Sequence, residues 1–298
     1  MTGIQWTDET WNPTTGCDKV SPGCGLPRFE GDATGGCYAL TMAKRLKAMG
    51  QEKYQNDGDP RTSGPGFGLT IHPDALDVPL HWRKPRRVFV NSMSDLGHAR
   101  IPREFLAQVW GVMSATPKHT YQILSKRPDR IAAWVNRCSQ WDGYITHNGE
   151  ASSAYGGTGV IVGYPESWPL PNVWLGTSIE LNDAKYVRRA DDLRATTAAV
   201  RFLSLEPLLG PLPSLSLEGI GWAIIGGESG PDARPMDLGW VRDLIAQCQE
   251  TGTAIFVKQL GSVWARGRAT DSHGGDWDAW PEDLRIRQFP RAAEAVHA

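Results

Sequence analysis

The sequence contains no apolar run approaching the roughly 20 residues that a membrane-spanning helix requires. Its first residues, Met1-Thr2-Gly3-Ile4-Gln5, carry neither a basic region nor an apolar stretch, so no secretory signal is expected. Cysteine is scarce and odd in number, five in 298 residues, which argues against a disulfide framework and for a reducing, cytoplasmic setting. Net charge is only −2, so a generally basic nucleic-acid coat is excluded; nucleic-acid contact would need a local basic patch. No histidine precedes His72, and no internal repeat or low-complexity tract is present. The 40% hydrophobic content suffices for a full core.

Three of the five cysteines fall in one short stretch. Cys17 lies in Thr14-Thr15-Gly16-Cys17, Cys24 in Ser21-Pro22-Gly23-Cys24 and Cys37 in Gly35-Gly36-Cys37-Tyr38. Six residues separate the first two and twelve the second pair, and the intervening Gly and Pro let the backbone turn the sulfurs toward one point. Structural zinc is nearly always four-coordinate, yet no fourth Cys or His is near; Cys138 and Cys248 are distant in sequence. A cubane iron–sulfur cluster normally takes four thiolates, and with three it keeps one iron open. Iron–sulfur, zinc with a remote fourth ligand, and incidental buried cysteines are the three readings of this stretch.

Downstream the chain alternates strand and helix patterns. Helices are predicted at 38–49, Arg103–Ala115, Asp129–Cys138, Asp183–Leu193 and Leu238–Glu250. Strands are predicted at Leu69–His72, Arg87–Asn91, Tyr121–Leu124, Val173–Thr177, Val200–Leu205, Trp222–Ile225 and Ala254–Val257, with an eighth at Ile4–Trp6. Such alternation implies βαβ units and a parallel sheet, here an α/β fold with a partial or complete TIM-like barrel in a single 1–298 domain. Insertions are expected at 25–36 and 139–172, the latter a lid over the site or a decoration, and an irregular tail at 261–298.

Chemistry in a parallel barrel lies at the C-terminal strand ends, and here those ends are polar. They supply His72; Asn91 and Asp95; Ser125, Lys126 and Arg127; Ser178 and Glu180; Ser204 and Glu206; Gly226-Gly227-Glu228-Ser229; and Lys258 with Gln259. Glu206, Lys258 and Asp95 are the catalytic candidates. Asn91, Ser125, Lys126, Ser178, Gly226, Gly227, Glu228 and Ser229 are the cofactor-binding candidates, with the Glu228 carboxylate suited to an ammonium group. The competing readings are a tight turn with a solvated Glu228, a helix start at Glu206 and a cap at Asp95.

Ile4-Gln5-Trp6-Thr7-Asp8, Trp11-Asn12-Pro13, Val20-Ser21-Pro22-Gly23-Cys24 and Cys37-Tyr38-Ala39 resemble the opening of the phage Gp37/Gp68-like (DUF5131) family. Phe89–Asp95, Leu124–Pro128, Ser204–Leu208, Gly226–Gly230 and Phe256–Gln259 extend the resemblance over nearly the whole chain. That family is grouped with the radical S-adenosylmethionine (SAM) barrels. The resemblance implies a [4Fe–4S] cluster on Cys17, Cys24 and Cys37, with SAM on the open iron and an external electron donor. The expected activity is a 5′-deoxyadenosyl radical abstracting hydrogen, in phage DNA modification, from a nucleic-acid base or nucleotide held by Lys126, Arg127 and Lys258. Two departures stand out: residues 25–36 are inserted before the third cysteine, and the common C-x3-C-x2-C spacing is absent. The rival expectations are a zinc-binding nucleic-acid-binding or hydrolytic protein, and a non-catalytic phage accessory barrel.

Overall fold

A computed structural model describes residues 4–138 and 167–291. Most of the 139–172 insertion thus lies outside the described residues. Strands β1 (Glu9–Trp11), β4 (Arg87–Val90), β5 (Thr120–Ser125), β6 (Val173–Ser178), β7 (Val200–Leu205), β8 (Trp222–Gly226) and β9 (Ala254–Gln259) form one sheet in that order. Every pairing in it is parallel, and β1 does not pair with β9, so the sheet is a curled half-barrel. Helices α1 (Tyr38–Ala48), α2 (Arg103–Ala115), α3 (Pro128–Cys138), α4 (Ala184–Arg194) and α5 (Leu238–Thr251) supply the connections, and a short α6 (Ser262–Ala265) follows β9.

Six of the expected strands take their places in this sheet; the N-terminal ones differ. Ile4–Trp6 is not a strand, and the first strand is Glu9–Trp11. Its polar neighbours fix it: Asp8 accepts from the Arg87 backbone N–H at 2.8 Å, and Arg86 Nη1 donates to Glu9 Oε2 at 2.6 Å. Trp6 serves as a buried side chain instead. The segment expected at Leu69–His72 contributes β3 (Thr70–Ile71), which pairs antiparallel with β2 (Thr14–Thr15) outside the main sheet.

The period of two along the strands divides the sheet into two faces. Val88, Val90, Tyr121, Ile123, Val173, Leu175, Leu203, Leu205, Ala223, Ile225, Ile255 and Val257 face the helices, packing with Phe105, Val109, Val112, Leu193, Val241 and Leu244. The alternate residues, Trp174, Phe202, Trp222, Ile224 and Phe256, fill the inside of the curl with Trp6, and Phe89 and Phe289 pack against them. Trp222 is the centre of this floor, with edge contacts to Trp6, Trp174 and Phe256 and a tilted one to Phe202, centroids 5.6–6.1 Å apart. The tail closes the open side. Val257 N–H donates to Ile286 O and Gln288 N–H to Ile255 O, which pairs the β9 edge.

The lower half of the half-barrel is therefore packed mainly by aromatic side chains, with buried Thr120 and Gln122 of β5 among them, and the charged side chains gather at the upper rim. Replacing Trp222 by Ala should cost about 3–5 kcal/mol, the range for deleting a large aromatic from a packed core. Urea unfolding measures it; a loss below about 1 kcal/mol would mean that the floor is not packed.

Candidate functional site

The chain leaves β1 at the C-terminal rim and crosses it as an extended loop carrying all three clustered cysteines. Residues following β4 hold the start of that loop. Asn12 Oδ1 accepts from Met93 N–H at 3.0 Å, Asn91 Nδ2 donates to Thr14 Oγ1 at 2.8 Å, and Gly16 N–H donates to Met93 O at 2.9 Å. Among the described residues, the Asn91 amide oxygen has no hydrogen-bond partner.

Three carboxylate–cation groups, each from a different part of the rim, then hold the cysteine segments. In the first, Asp95 accepts from Ser125 Oγ (2.6 Å), Gly97 N–H (2.9 Å) and Arg127 Nη1 (2.8 Å). Arg127 in turn donates to Cys17 Sγ at 3.4 Å and to Asp18 O at 3.1 Å. His98, adjoining, meets Asp18 Oδ2 at 2.9 Å.

The second group centres on Glu180, which is fully buried. Lys126 Nζ lies 2.5 Å from Oε1, Arg189 Nη1 lies 3.2 Å from Oε2, and Ser21 Oγ donates to Oε1 at 2.7 Å. Cys24 lies beside this group, its sulfur 3.7 Å from Ser21 Oγ. Gly23 is required by the closeness of approach: a Cβ there would come within 2.6 Å of Glu180 Oε1 and 2.8 Å of Lys126 Nζ.

The third group is Glu228 with Arg234, both almost fully buried. Arg234 donates to Glu228 from its backbone N–H, Nε and Nη2 at 2.8–2.9 Å, and from Nη2 to Pro22 O at 2.9 Å. Gly36 N–H also points to Glu228 Oε1, at 3.4 Å. Gly35 sits at φ +59, where an added Cβ would be 2.3 Å from that same oxygen, so the turn into Cys37 demands glycine. Cys37 occupies the N-cap position of α1 without a side-chain capping hydrogen bond, and the Leu40 and Ala39 amides act against the burial that raises its thiol.

The thiols differ electrostatically. Burial, followed by the Asp95 charge, pushes Cys17 up to about 12, against the pull of Arg127. Burial likewise raises Cys37. Burial acts upward on Cys24 too, but the Lys126 charge, a Val20 backbone hydrogen bond and Ser21 together leave it below the ordinary thiol value. The Cys24 charge acts on both other cysteines, which places the three sulfurs in one electrostatic neighbourhood. Cys248, by contrast, is buried in α5 with burial alone raising it to about 12. Among the described residues, no three His, Cys, Asp or Glu side chains converge closely enough to hold one metal ion.

Most of the residues expected at the site do meet on this rim, but with partners within the chain. Lys126, Arg127 and Lys258, expected to neutralise phosphate, each face a carboxylate. Glu228, expected to meet an ammonium ligand, meets Arg234, so such a ligand would have to displace a guanidinium. Ser229 Oγ is joined to Gln259 Nε2, and Gly227 packs against the Leu260–Gly261 backbone. Ser178 is buried, and its carbonyl accepts from Arg189 at 2.8 Å. The rim pair Lys258 Nζ to Glu206 Oε1, at 2.6 Å with both side chains partly exposed, touches no cysteine segment. It reaches across Gly226, whose missing side chain leaves room beside Glu206. Arg189, Arg234 and Ser21 were not anticipated. Arg189 had a signal, because it occupies the buried stripe of α4 with Ala190 and Leu193. A cation there needs a buried anion.

Glu180 titrates below its ordinary value of 4.5: burial opposes ionisation, and Lys126 and Arg189 outweigh it. Its contribution to stability is thus complete above that value and is lost as pH falls through the lower folded-state value. Glu180→Gln should cost about 3–5 kcal/mol at neutral pH, because two buried cations lose their anion. It should also flatten the acid limb of stability against pH. Denaturant titrations from neutral to acid pH measure both; a neutral-pH loss below about 1 kcal/mol would contradict the assignment.

No curated protein and no solved structure matches the chain. Residues 1–283 match the family described as "Protein of unknown function (DUF5131)", and the chain belongs to that family.

Proposed function

We propose that the rim is the site of a radical SAM-like enzyme in which Cys17, Cys24 and Cys37 hold a [4Fe–4S] cluster. The observation that carries this reading is that the three cysteines come to one rim where buried cations reach them: Arg127 Nη1 donates to Cys17 Sγ at 3.4 Å, and the Lys126 ammonium acts on both Cys24 and Cys37. Incidental buried cysteines need no such provision, and Cys248 has none. The donor set fits the group, since soft thiolates suit iron–sulfur clusters and no histidine is involved. With SAM on its open iron, the cluster would supply a 5′-deoxyadenosyl radical.

The chain's own contribution is positional. Asp95–Arg127, Glu180–Lys126–Arg189 and Glu228–Arg234 fix the loop over the mouth of the half-barrel, and the aromatic floor keeps water out from below. Glu206 and Lys258 are the rim pair left to meet a ligand. Lys258 Nζ can present a proton and Glu206 Oε1 accept one, so this pair suits a polar group of SAM or substrate. A nucleic-acid base or nucleotide is the substrate class favoured by the phage-type resemblance.

Anaerobic reconstitution should give a brown protein with about four irons per chain, and Ala at Cys17, Cys24 or Cys37 should abolish the colour while Cys248→Ala retains it. With dithionite and SAM, 5′-deoxyadenosine should appear slowly even without substrate. One tightly held zinc with no capacity for iron would overturn the proposal. Failure of DNA, RNA and mononucleotides to bind at low salt would redirect the substrate to a metabolite or peptide.

A further inference from the structure

We infer that Arg127 is a positioning residue that sets the reduction potential of the rim centre by hydrogen bonding to the sulfur of Cys17. The inference rests on the proposed function, since it needs a cluster on these cysteines. Iron–sulfur potentials follow net charge, hydrogen bonds to the sulfurs and solvent exposure. A cationic donor at a ligand sulfur stabilises the reduced, more negative state and so raises the potential.

Arg127 is built for that task. Its guanidinium is half-buried or less exposed, with a side-chain exposure of 14%. Nη1 lies 3.4 Å from Cys17 Sγ and 2.8 Å from Asp95 Oδ2, while Nη2 donates to Asp18 O at 3.1 Å. Asp95 is itself held by Ser125 Oγ, Gly97 N–H and Lys126 N–H, so its orientation is fixed before it meets Arg127. Two oxygen acceptors thus aim the planar fork, and the remaining interaction goes to sulfur. Lysine, a point charge, lacks the planar fork that these acceptors aim. Cys24 receives its positive charge differently: Lys126 points its ammonium at Glu180 and Ser21, and acts on the sulfur only through space. Cys37 has no side-chain cation of its own beyond that same lysine. Arg127 is therefore the cation in direct hydrogen-bonding contact with a ligand sulfur among the described residues.

The test is a redox titration of the reconstituted full chain, followed by absorbance and electron paramagnetic resonance, for the wild type, Arg127→Gln and Arg127→Lys. Arg127→Gln should lower the reduction equilibrium constant about tenfold, or about 59 mV for a one-electron couple. Arg127→Lys, which keeps the charge and loses the fork, should fall between. Cluster uptake with both variants at the wild-type potential overturns this inference alone and leaves the proposed function standing. No iron uptake by the wild type overturns both. If Arg127→Gln cannot hold a cluster, Arg127→Lys decides: a lowered potential supports the assignment and an unchanged one overturns it.

Discussion

The arrangement of the rim depends on a buried carboxylate. Glu180 stands at the end of β6 with no solvent contact, between Lys126 from the end of β5 and Arg189 from α4. A lone charge in such a place is expensive, and even a paired one repays its desolvation only when the remaining hydrogen-bonding capacity is used. Here Ser21 uses it, and in doing so joins the cysteine loop to the barrel. The local demand of one buried anion is thereby turned into a long-range constraint, since Ser21 is 159 residues from Glu180. Glu228 with Arg234, and Asp95 with Arg127, repeat the device on either side. The loop has few apolar residues to bury; charge, not hydrophobic packing, places it.

That division of labour follows the alternation of the strands. Inside the curl, the lower positions of β6 to β9 are aromatic or apolar and the residues that follow the strands are polar, so one period-two pattern leads from a packed floor to a chemical rim. The floor lets the rim tolerate strain of a different kind, namely several buried charges close together. Gly23, Gly35 and Gly226 are the points where this crowding meets the backbone, each vacant because a side chain would strike or crowd a carboxylate.

Much of this was legible in the sequence. Short Val/Ile/Phe runs alternating with amphipathic segments sufficed for the parallel sheet, and the polar strand ends marked the rim. The first strand was misplaced because Ile4–Trp6 has the apolar look of a strand, whereas Glu9–Trp11 is held by the pairs Arg86–Glu9 and Arg87–Asp8, which no local pattern encodes. The polar strand ends were readable as a rim, but the ion pairs that join the cysteine loop to it were not. Arg234 lies in a loop without periodicity, and its pairing with Glu228 arises only once the chain has turned. Lys126, Arg127 and Glu228 read as free groups awaiting a ligand because a sequence shows charge without showing what neutralises it. The position of Arg189 on a buried helical stripe was the one readable sign that the rim would be occupied by internal ion pairs.

In the proposed reading, three thiolates from one loop hold a four-iron cluster with one iron left open. Mössbauer spectroscopy of protein reconstituted anaerobically with enriched iron, recorded with and without SAM, tests it most directly. SAM should change the signal of one iron site in four and leave the other three as they were. A spectrum that SAM does not alter, or iron bound in no cluster at all, would contradict it.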